Sequence, residues 1–351
     1  MRFAAIAVLV LVLTVGACQS SPTAARITPG SSPTPSASPA VSPSPSPAPV
    51  VVSPSPTASP LPPVGFACHL PVAGLDDSGA LIGGYITFPA AAYAGDPTAV
   101  FKRDHSNGTY RWLSTQSPQL IGGTPRLFYD KAFKRWLPSP RAAVYPDGSR
   151  YAYVTGALNQ TVHIVTVATG KERVLAAPHP INGAVLDFSP SGIYLAGSGE
   201  GSETGIWLLN QQTGAERLIS GEKIVVAING GGAWLEQSPT GAQFPDTLVL
   251  LNLTTGAKTV WFKKLGAFVN LVGLTADGLP VVQVNGPVYL LRSPAVRDQI
   301  YSGGKLFADV ASDTHGLWTE SSDGVYLALP GKTLRLVASD GQGLVPSGSC
   351  V

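Results

Sequence analysis

A phrase that recurs four times between residues 145 and 316 constrains the fold of this 351-residue chain more than any other feature. The copies read YPDG at 145–148, FSPSG at 188–192, LTADG at 274–278 and SDTHG at 312–316. In each copy an apolar segment leads into a turn that ends in Gly, and a run of alternating apolar residues follows. This order predicts four β-hairpins.

A second phrase follows and extends each hairpin. It reads VHIVTVATGKERVL at 162–175, GIWLLNQQTGAERLI at 205–219 and TLVLLNLTTGAKTVWF at 247–262, with altered turns at 288–291 and 325–329. Its Thr-Gly pairs place Gly where a tight turn needs a positive φ. Gly170, Gly214 and Gly256 are 44 and 42 residues apart, and Tyr289 and Tyr326 are 37 apart. A period near 40 with about four short strands per unit is typical of a β-propeller.

The two phrases resemble the repeats of TolB-like, WD-repeat-like bacterial propellers. The resemblance covers most of 140–340 and implies an all-β ring, with no function attached to it. The N-terminal α/β domain of TolB has no counterpart here, so the TolB role is not carried over. We expect six blades at about 66–140, 141–180, 181–221, 222–264, 265–303 and 304–340, or seven if the long first segment holds two.

The first 64 residues differ in composition from the rest. An apolar run of about 12 residues after Met1 and Arg2 is too short to span a bilayer and suits a signal peptide. It ends in Val15-Gly16-Ala17-Cys18, which resembles the bacterial lipobox. The resemblance implies cleavage before Cys18 and acylation of its sulfur. The alternative is an ordinary secretory signal that happens to contain a cysteine.

Residues 19–64 hold 14 of the 32 prolines and a single charge, Arg26. Such a segment buries too little apolar surface to fold, and its Ser-Pro pairs favour polyproline II. At about 3.1 Å per residue it reaches on the order of 140 Å. The expected organisation is a signal peptide over 1–17, a lipidated cysteine with a disordered tether over 18–64, and the propeller over 65–351.

The two remaining cysteines, Cys68 and Cys350, flank the repeats. Exported proteins meet an oxidising compartment in which paired cysteines usually bond. A Cys68–Cys350 disulfide would fasten the first blade to the last. The rival interpretation is a pair of free or metal-binding thiols, but no Cys-x-x-Cys spacing supports zinc.

Basic residues are concentrated in 101–150. This segment has nine of them against three acids: Lys102, Arg103, Arg111, Arg126, Lys131, Lys134, Arg135, Arg141 and Arg150. If they share a face they favour an anionic polymer such as an envelope glycan; otherwise they form a scattered solvated set. The formal net charge of only +2 argues against a nucleic-acid partner.

No recognised catalytic motif appears in the sequence, and we assign no catalytic residue, no metal ligand and no cofactor. His163 fits a strand and His315 a turn, while Asp187 precedes an inner-strand segment and is a candidate to face a central channel. Glu200 and Glu203 in an acidic glycine loop offer a weak calcium alternative.

Two functions compete. The first is a monomeric, lipid-anchored binding or scaffold module on the outer side of the cell membrane, with an envelope protein or glycan as its partner. The second is a hydrolase or lyase that acts on an envelope polymer at the mouth of the propeller channel. The second requires at least two titratable side chains that converge at that mouth.

Overall fold

A computed structural model describes residues 61, 63–104, 111–116, 122–156, 160–179, 184–197, 204–238, 244–339 and 343–351. Cys18 and the predicted tether lie outside the described residues, apart from the last few of the tether. The described chain is all-β, with one short 3-10 turn at Arg141–Ala143. None of its helical segments has the length and apolarity needed to cross a membrane.

The strands form a six-bladed propeller, as the repeat predicts. Blade 1 contains β1 (Cys68–Leu75), β2 (Leu81–Phe88), β3 (Ala92–Asp104) and β4 (Arg111–Ser114). Two strands, β5 (Phe128–Asp130) and β6 (Arg135–Leu137), form a separate hairpin. Blade 2 contains β7 (Arg150–Thr155), β8 (Gln160–Thr166) and β9 (Glu172–Ala177).

The remaining four blades have four strands each. Blade 3 contains β10 (Ala184–Ser189), β11 (Gly192–Gly197), β12 (Gly205–Leu209) and β13 (Glu216–Ser220). Blade 4 contains β14 (Val225–Asn229), β15 (Gly232–Gln237), β16 (Thr247–Asn252) and β17 (Lys258–Lys263). Blade 5 contains β18 (Val269–Leu274), β19 (Pro280–Val284), β20 (Val288–Ser293) and β21 (Val296–Tyr301). Blade 6 contains β22 (Ala308–Asp313), β23 (Gly316–Ser321), β24 (Gly324–Ala328) and β25 (Arg335–Ala338).

The segment predicted as a single first blade, 66–140, is divided in the structure. Blade 1 takes its first half, and the β5–β6 hairpin packs between blades 1 and 2. Trp136 of this hairpin is buried, and its indole Nε1 donates to Asp96 Oδ2 of blade 1 at 3.0 Å. The hairpin therefore fills the space between blades 1 and 2, but with two strands it does not form a seventh four-stranded blade.

The end of the chain closes the ring. The short strand β26 (Val345–Pro346) pairs antiparallel with β1, and it also contacts the inner strands of blade 6. Apolar side chains fill the seam: Leu70 and Phe88 of blade 1 share a core with Trp318 and Leu327 of blade 6. The last and first blades are thus joined by strand pairing as well as by packing.

Antiparallel order gives the propeller two distinct faces. In blades 3 to 6, the turns between the first and second strands, and between the third and fourth strands, emerge at one end, which we call the turn face. In these blades the links between the second and third strands, and between successive blades, emerge at the opposite end, which we call the loop face. In blade 2 a single bridge between Val144 and Tyr151 takes the place of the first strand, so the β8–β9 turn also lies on the turn face. The predicted Thr-Gly turns therefore lie on the turn face, and φ is +67° at Gly170, +75° at Gly214 and +72° at Gly256.

Candidate functional site

Turns of blades 5 and 6 surround a cavity of about 1050 Å³ on the turn face. Blade 5 contributes 275–277 and 297–300, and blade 6 contributes 312–314 and 328–333. Lys131 from the β5–β6 turn and Arg141 from the 3-10 turn complete the lining, beside Ser349 and Cys350. The cavity is therefore built from turns that the repeat itself positions.

Charged side chains dominate the polar part of this lining. It contains five cations, Lys131, Arg141, Arg292, Arg297 and Lys332, and three acids, Asp277, Asp298 and Asp313. The lining therefore has a positive net charge. The charge that a ligand meets depends on which of these side chains are already paired with each other.

Two of the arginines, Arg292 and Arg297, are held by other side chains of blades 4 and 5. Arg292 Nε donates to Asp298 Oδ2 at 2.7 Å, so these two charges neutralise each other. The guanidinium of Arg297 lies over the rings of Phe262 and Tyr289, at 5.2 and 5.7 Å from their centroids. Stacking fixes the direction of Arg297 and leaves its charge in place.

The carboxylate of Asp313 is already hydrogen-bonded to other groups of the protein. Its Oδ2 accepts from Trp318 Nε1 at 3.0 Å and from the backbone N–H of Cys350 at 2.8 Å, and its Oδ1 accepts from the N–H of His315 at 2.8 Å. The carboxylate thus ties the C-terminal segment to the first turn of blade 6. It is a structural clamp at the edge of the cavity.

Three cations of the described lining are held neither by an acid nor by an aromatic ring: Lys131, Arg141 and Lys332. Within the described part of the chain, no acidic side chain pairs with any of them. Asp277 is the one cavity acid left without a basic partner there. Three free cations against one free carboxylate suit an anionic ligand.

The predicted disulfide borders the same cavity. Cys68 and Cys350 are bonded, with their Cα atoms 5.6 Å apart and 282 residues between them in sequence. Reciprocal backbone hydrogen bonds of 3.0 Å join His69 to Val351, and the ring of Phe66 stacks on His315 at 4.2 Å. The covalent closure of the ring therefore lies on the turn face, where the folded chain begins and ends.

Asp313, His315 and Cys350 place three potential metal-ligand atoms within 4.8 Å of one another. They do not fit a metal ion. The Cys350 sulfur is bonded to Cys68, and the Asp313 carboxylate already accepts three N–H groups. A disulfide sulfur is not a thiolate, which is the form that binds metals.

The structure separates the basic residues of 101–150 into different environments. Arg126 pairs with Asp309, Arg135 Nη1 donates to Val167 O at 2.7 Å, and Arg150 Nη1 donates to Gln211 Oε1 at 2.8 Å. Among those of the nine whose side chains the structure describes, Lys131 and Arg141 line the cavity. These side chains therefore fit the scattered alternative better than a shared basic face, and Arg297 and Lys332 of blades 5 and 6 add positive charge to the cavity.

The other residues considered from sequence lie elsewhere. His163 is buried in blade 2, where Nδ1 is 2.8 Å from Glu172 Oε1 and Nε2 is 2.8 Å from Thr155 Oγ1, so it is a satisfied interior histidine. Asp187 is half-buried on the inner strand β10, and burial raises its pKa. Glu200 and Glu203 lie outside the described residues.

Sequence reasoning did not single out Arg292, Arg297 or Lys332. The sequence nevertheless contained a usable pattern, because these residues lie in or beside the turns between the third and fourth strands of blades 5 and 6. Equivalent turns of neighbouring blades lie on the same face, so basic residues at two successive turns predict a positively charged surface there.

No family model matches this chain, and no curated protein matches it. One chain of a nidogen/laminin complex is similar in structure, with 9% identity over 80% of this chain and 96% of that chain, at a TM-score of 0.43. TolB from Acinetobacter baumannii is 12% identical over 76% of this chain and 65% of that chain, at a TM-score of 0.40. BamB from Moraxella catarrhalis is 13% identical over 72% and 80%, at a TM-score of 0.37. These similarities transfer no function, and the propeller class rests on the strand pairing.

Proposed function

We propose that this chain is a binding module of the cell envelope, anchored through acylated Cys18, whose turn-face cavity holds an anionic envelope glycan. The observation that carries the proposal is the set of three free cations at the cavity, Lys131, Arg141 and Lys332. The predicted tether supports it, because a reach on the order of 140 Å lets an anchored domain sample material well above a membrane.

The alternative, an envelope-polymer hydrolase or lyase, requires two titratable groups free to act on one substrate. Of the three cavity acids, Arg292 holds Asp298 and three N–H groups hold Asp313. Asp277 is then the only free carboxylate among the described lining residues. A cavity of this kind favours binding over acid–base catalysis.

Equilibrium binding to polygalacturonate, a uronic-acid polymer, tests the proposal, with neutral dextran of similar length as the comparison. We expect the full chain with Cys18→Ser to bind the charged polymer and to release it as salt rises, because salt screens exposed charges. The triple variant Lys131→Gln, Arg141→Gln, Lys332→Gln should bind at least about tenfold more weakly, as loss of a few charge contacts implies.

The matched control is the triple variant Lys102→Gln, Lys171→Gln, Lys263→Gln. It removes the same charge from exposed positions outside the cavity. Equal weakening by the two triple variants would mean that net charge alone drives binding, and it would refute a cavity site. Equal affinity for dextran and the charged polymer would refute the anionic ligand.

A further inference from the structure

The loop face carries a recurring pair of residues that the cavity does not use. Each link from blade 3 to 4, 4 to 5 and 5 to 6 contains a lysine followed by an aliphatic residue, and the pairs are 41 residues apart. They are Lys223-Ile224, Lys264-Leu265 and Lys305-Leu306. The repeat thus places the same pair of residue types at the same structural position three times in succession, and the third lysine, Lys305, is paired with Asp323.

The three aliphatic side chains face water. Ile224 is 55% exposed, Leu265 is 64% exposed and Leu306 is 74% exposed. A single exposed aliphatic residue needs no explanation in a soluble protein. Three of them at equivalent positions of adjacent blades form a defined apolar crown on one face.

The link from blade 4 to blade 5 contains a hydrogen-bonded turn that exposes Leu265. The Ala267 N–H donates to Lys264 O at 3.1 Å and closes a tight turn, in which Leu265 and Gly266 are the central residues and Gly266 has φ +71°. The N–H of Lys264 donates to Asp246 O at 3.0 Å on the incoming side. Leu265 is therefore displayed by a hydrogen-bonded turn.

Two aromatic side chains extend the apolar surface beside this turn. The rings of Phe244 and Phe268 meet edge to face with centroids 5.6 Å apart, and both side chains are exposed. The Phe268 N–H donates to Asn285 Oδ1 at 2.9 Å, and the Val269 N–H donates to Pro245 O at 2.8 Å. The backbone at Phe268 and Val269 is thus held by the β15–β16 link and by the β19–β20 link.

We propose that the loop face of blades 4 to 6 docks on an anionic membrane surface, with Ile224, Leu265 and Leu306 inserted among the lipid headgroups. Lysine flanking an exposed aliphatic residue matches the two layers of such a surface, which are a negative headgroup plane and an apolar boundary beneath it. The apolar tips stand on three separate loops. A bilayer accepts separate points of insertion, whereas a protein interface concentrates its energy in one contiguous buried patch.

Docking through the loop face is compatible with the cavity and the disulfide, which lie on the turn face. The disulfide places the start of the folded chain on the turn face, opposite the crown. A blade strand of six residues is about 20 Å long, and the reach expected of the predicted tether is on the order of 140 Å, so the proposed anchor at Cys18 is compatible with this contact. Contact through the loop face then leaves the cavity open toward the space beyond the membrane.

Vesicle binding by the full chain with Cys18→Ser tests the proposal without help from a lipid anchor. The probes are vesicles of phosphatidylcholine alone and vesicles with about one-third phosphatidylglycerol. We expect measurable binding to the anionic vesicles and at least about tenfold weaker binding by the triple variant Ile224→Ser, Leu265→Ser, Leu306→Ser, because each loses apolar insertion. Lys223→Gln with Lys264→Gln should lower the affinity several-fold on anionic vesicles only.

A matched control removes exposed apolar groups from elsewhere. Val174, Val260 and Val296 are 51–52% exposed and lie on the outermost strands β9, β17 and β21. Their triple replacement by Ser should leave vesicle binding unchanged, and circular dichroism should show the same β content in all variants. Failure of the parent chain to bind anionic vesicles, or equal binding by the crown variant, would overturn the proposal. Polygalacturonate binding by the crown variant should be intact, which separates this test from that of the cavity.

Discussion

Asp313 shows how one side chain supports both the ring and the site. Its carboxylate collects N–H groups from Trp318, His315 and Cys350, and the side chain is only 8% exposed. The residue therefore joins a turn of blade 6 to the C-terminal segment that closes the propeller. Its position at the cavity edge is a consequence of that role.

Replacing Asp313 by Ala should lower the free energy of unfolding by about 3 kcal/mol, because buried N–H donors lose a charged acceptor. Urea unfolding followed by tryptophan fluorescence measures the change. Asp277→Ala is the control, since this acid makes no hydrogen bond that stabilises the described turn, and its cost should stay within about 0.5 kcal/mol. Similar losses for the two variants would contradict the clamp.

Glu236 gives a pH-dependent prediction. Burial raises its pKa above the ordinary value of 4.5, although Oε1 accepts the N–H of Leu271 at 2.6 Å. A group with a raised folded pKa stabilises the fold fully below its unfolded pKa, and this contribution is lost as pH rises through the folded value. Glu236 therefore favours the folded state less at neutral pH than at pH 4.

Glu236→Gln retains an oxygen acceptor for Leu271 and removes the titration. The variant should gain stability relative to the parent chain on going from pH 4 to pH 7, as measured by urea midpoints at the two values. Glu222→Gln is the comparison, because its carboxylate lies in an ion pair with Lys258 at 2.7 Å. A difference between Glu236→Gln and the parent that does not change with pH would contradict the assignment.

At the scale of strands and turns, the sequence predicted most of what the structure contains. The four Gly turns, the Thr-Gly turns and the blade borders after residue 140 are confirmed, because each follows from a local pattern that repeats. The β5–β6 hairpin was not predicted, since 128–137 shows neither phrase and is held by packing against two other blades. The cavity was not predicted either, because its cations come from turns far apart in sequence.

Gly256→Ala tests the role of the Thr-Gly turn. The φ of +72° disfavours any residue with a Cβ, while no atom lies within 4 Å of where that Cβ would be. The expected loss is about 1 kcal/mol, all of it conformational. Gly304→Ala, also in open space but without a positive φ, should cost less in the same urea assay. An equal cost at both positions would show that the turn conformation is not the cause.

The propeller is a ring closed twice, once by the β26–β1 pairing and once by the Cys68–Cys350 disulfide. Both closures lie at the seam between blade 6 and blade 1, which only non-covalent contacts would otherwise hold, so a ring that loses its disulfide should open there first. The disulfide was predictable because two cysteines flank the repeats. The hydrogen bonds around it depend on the folded path of residues 345–351 and were not predictable.

Cys68→Ala with Cys350→Ala should lower the melting temperature, because the bond closes a loop of 282 residues in the unfolded chain. The chain-entropy model gives an upper value of roughly 5 kcal/mol for such a loop. Limited proteolysis should cut the chain ends first, while circular dichroism keeps the same β content. A variant with the stability and protease pattern of the parent would contradict a fastening role.

The two faces of the propeller are proposed to meet different surroundings, and photo-crosslinking of the full chain in its native cells tests this assignment most directly. A photoreactive side chain is placed at Lys332 on the turn face or at Leu265 on the loop face, and the adducts are identified by mass spectrometry. We predict an anionic glycan adduct from position 332 and a phospholipid adduct from position 265. Lipid at position 332 with glycan at position 265 would contradict it.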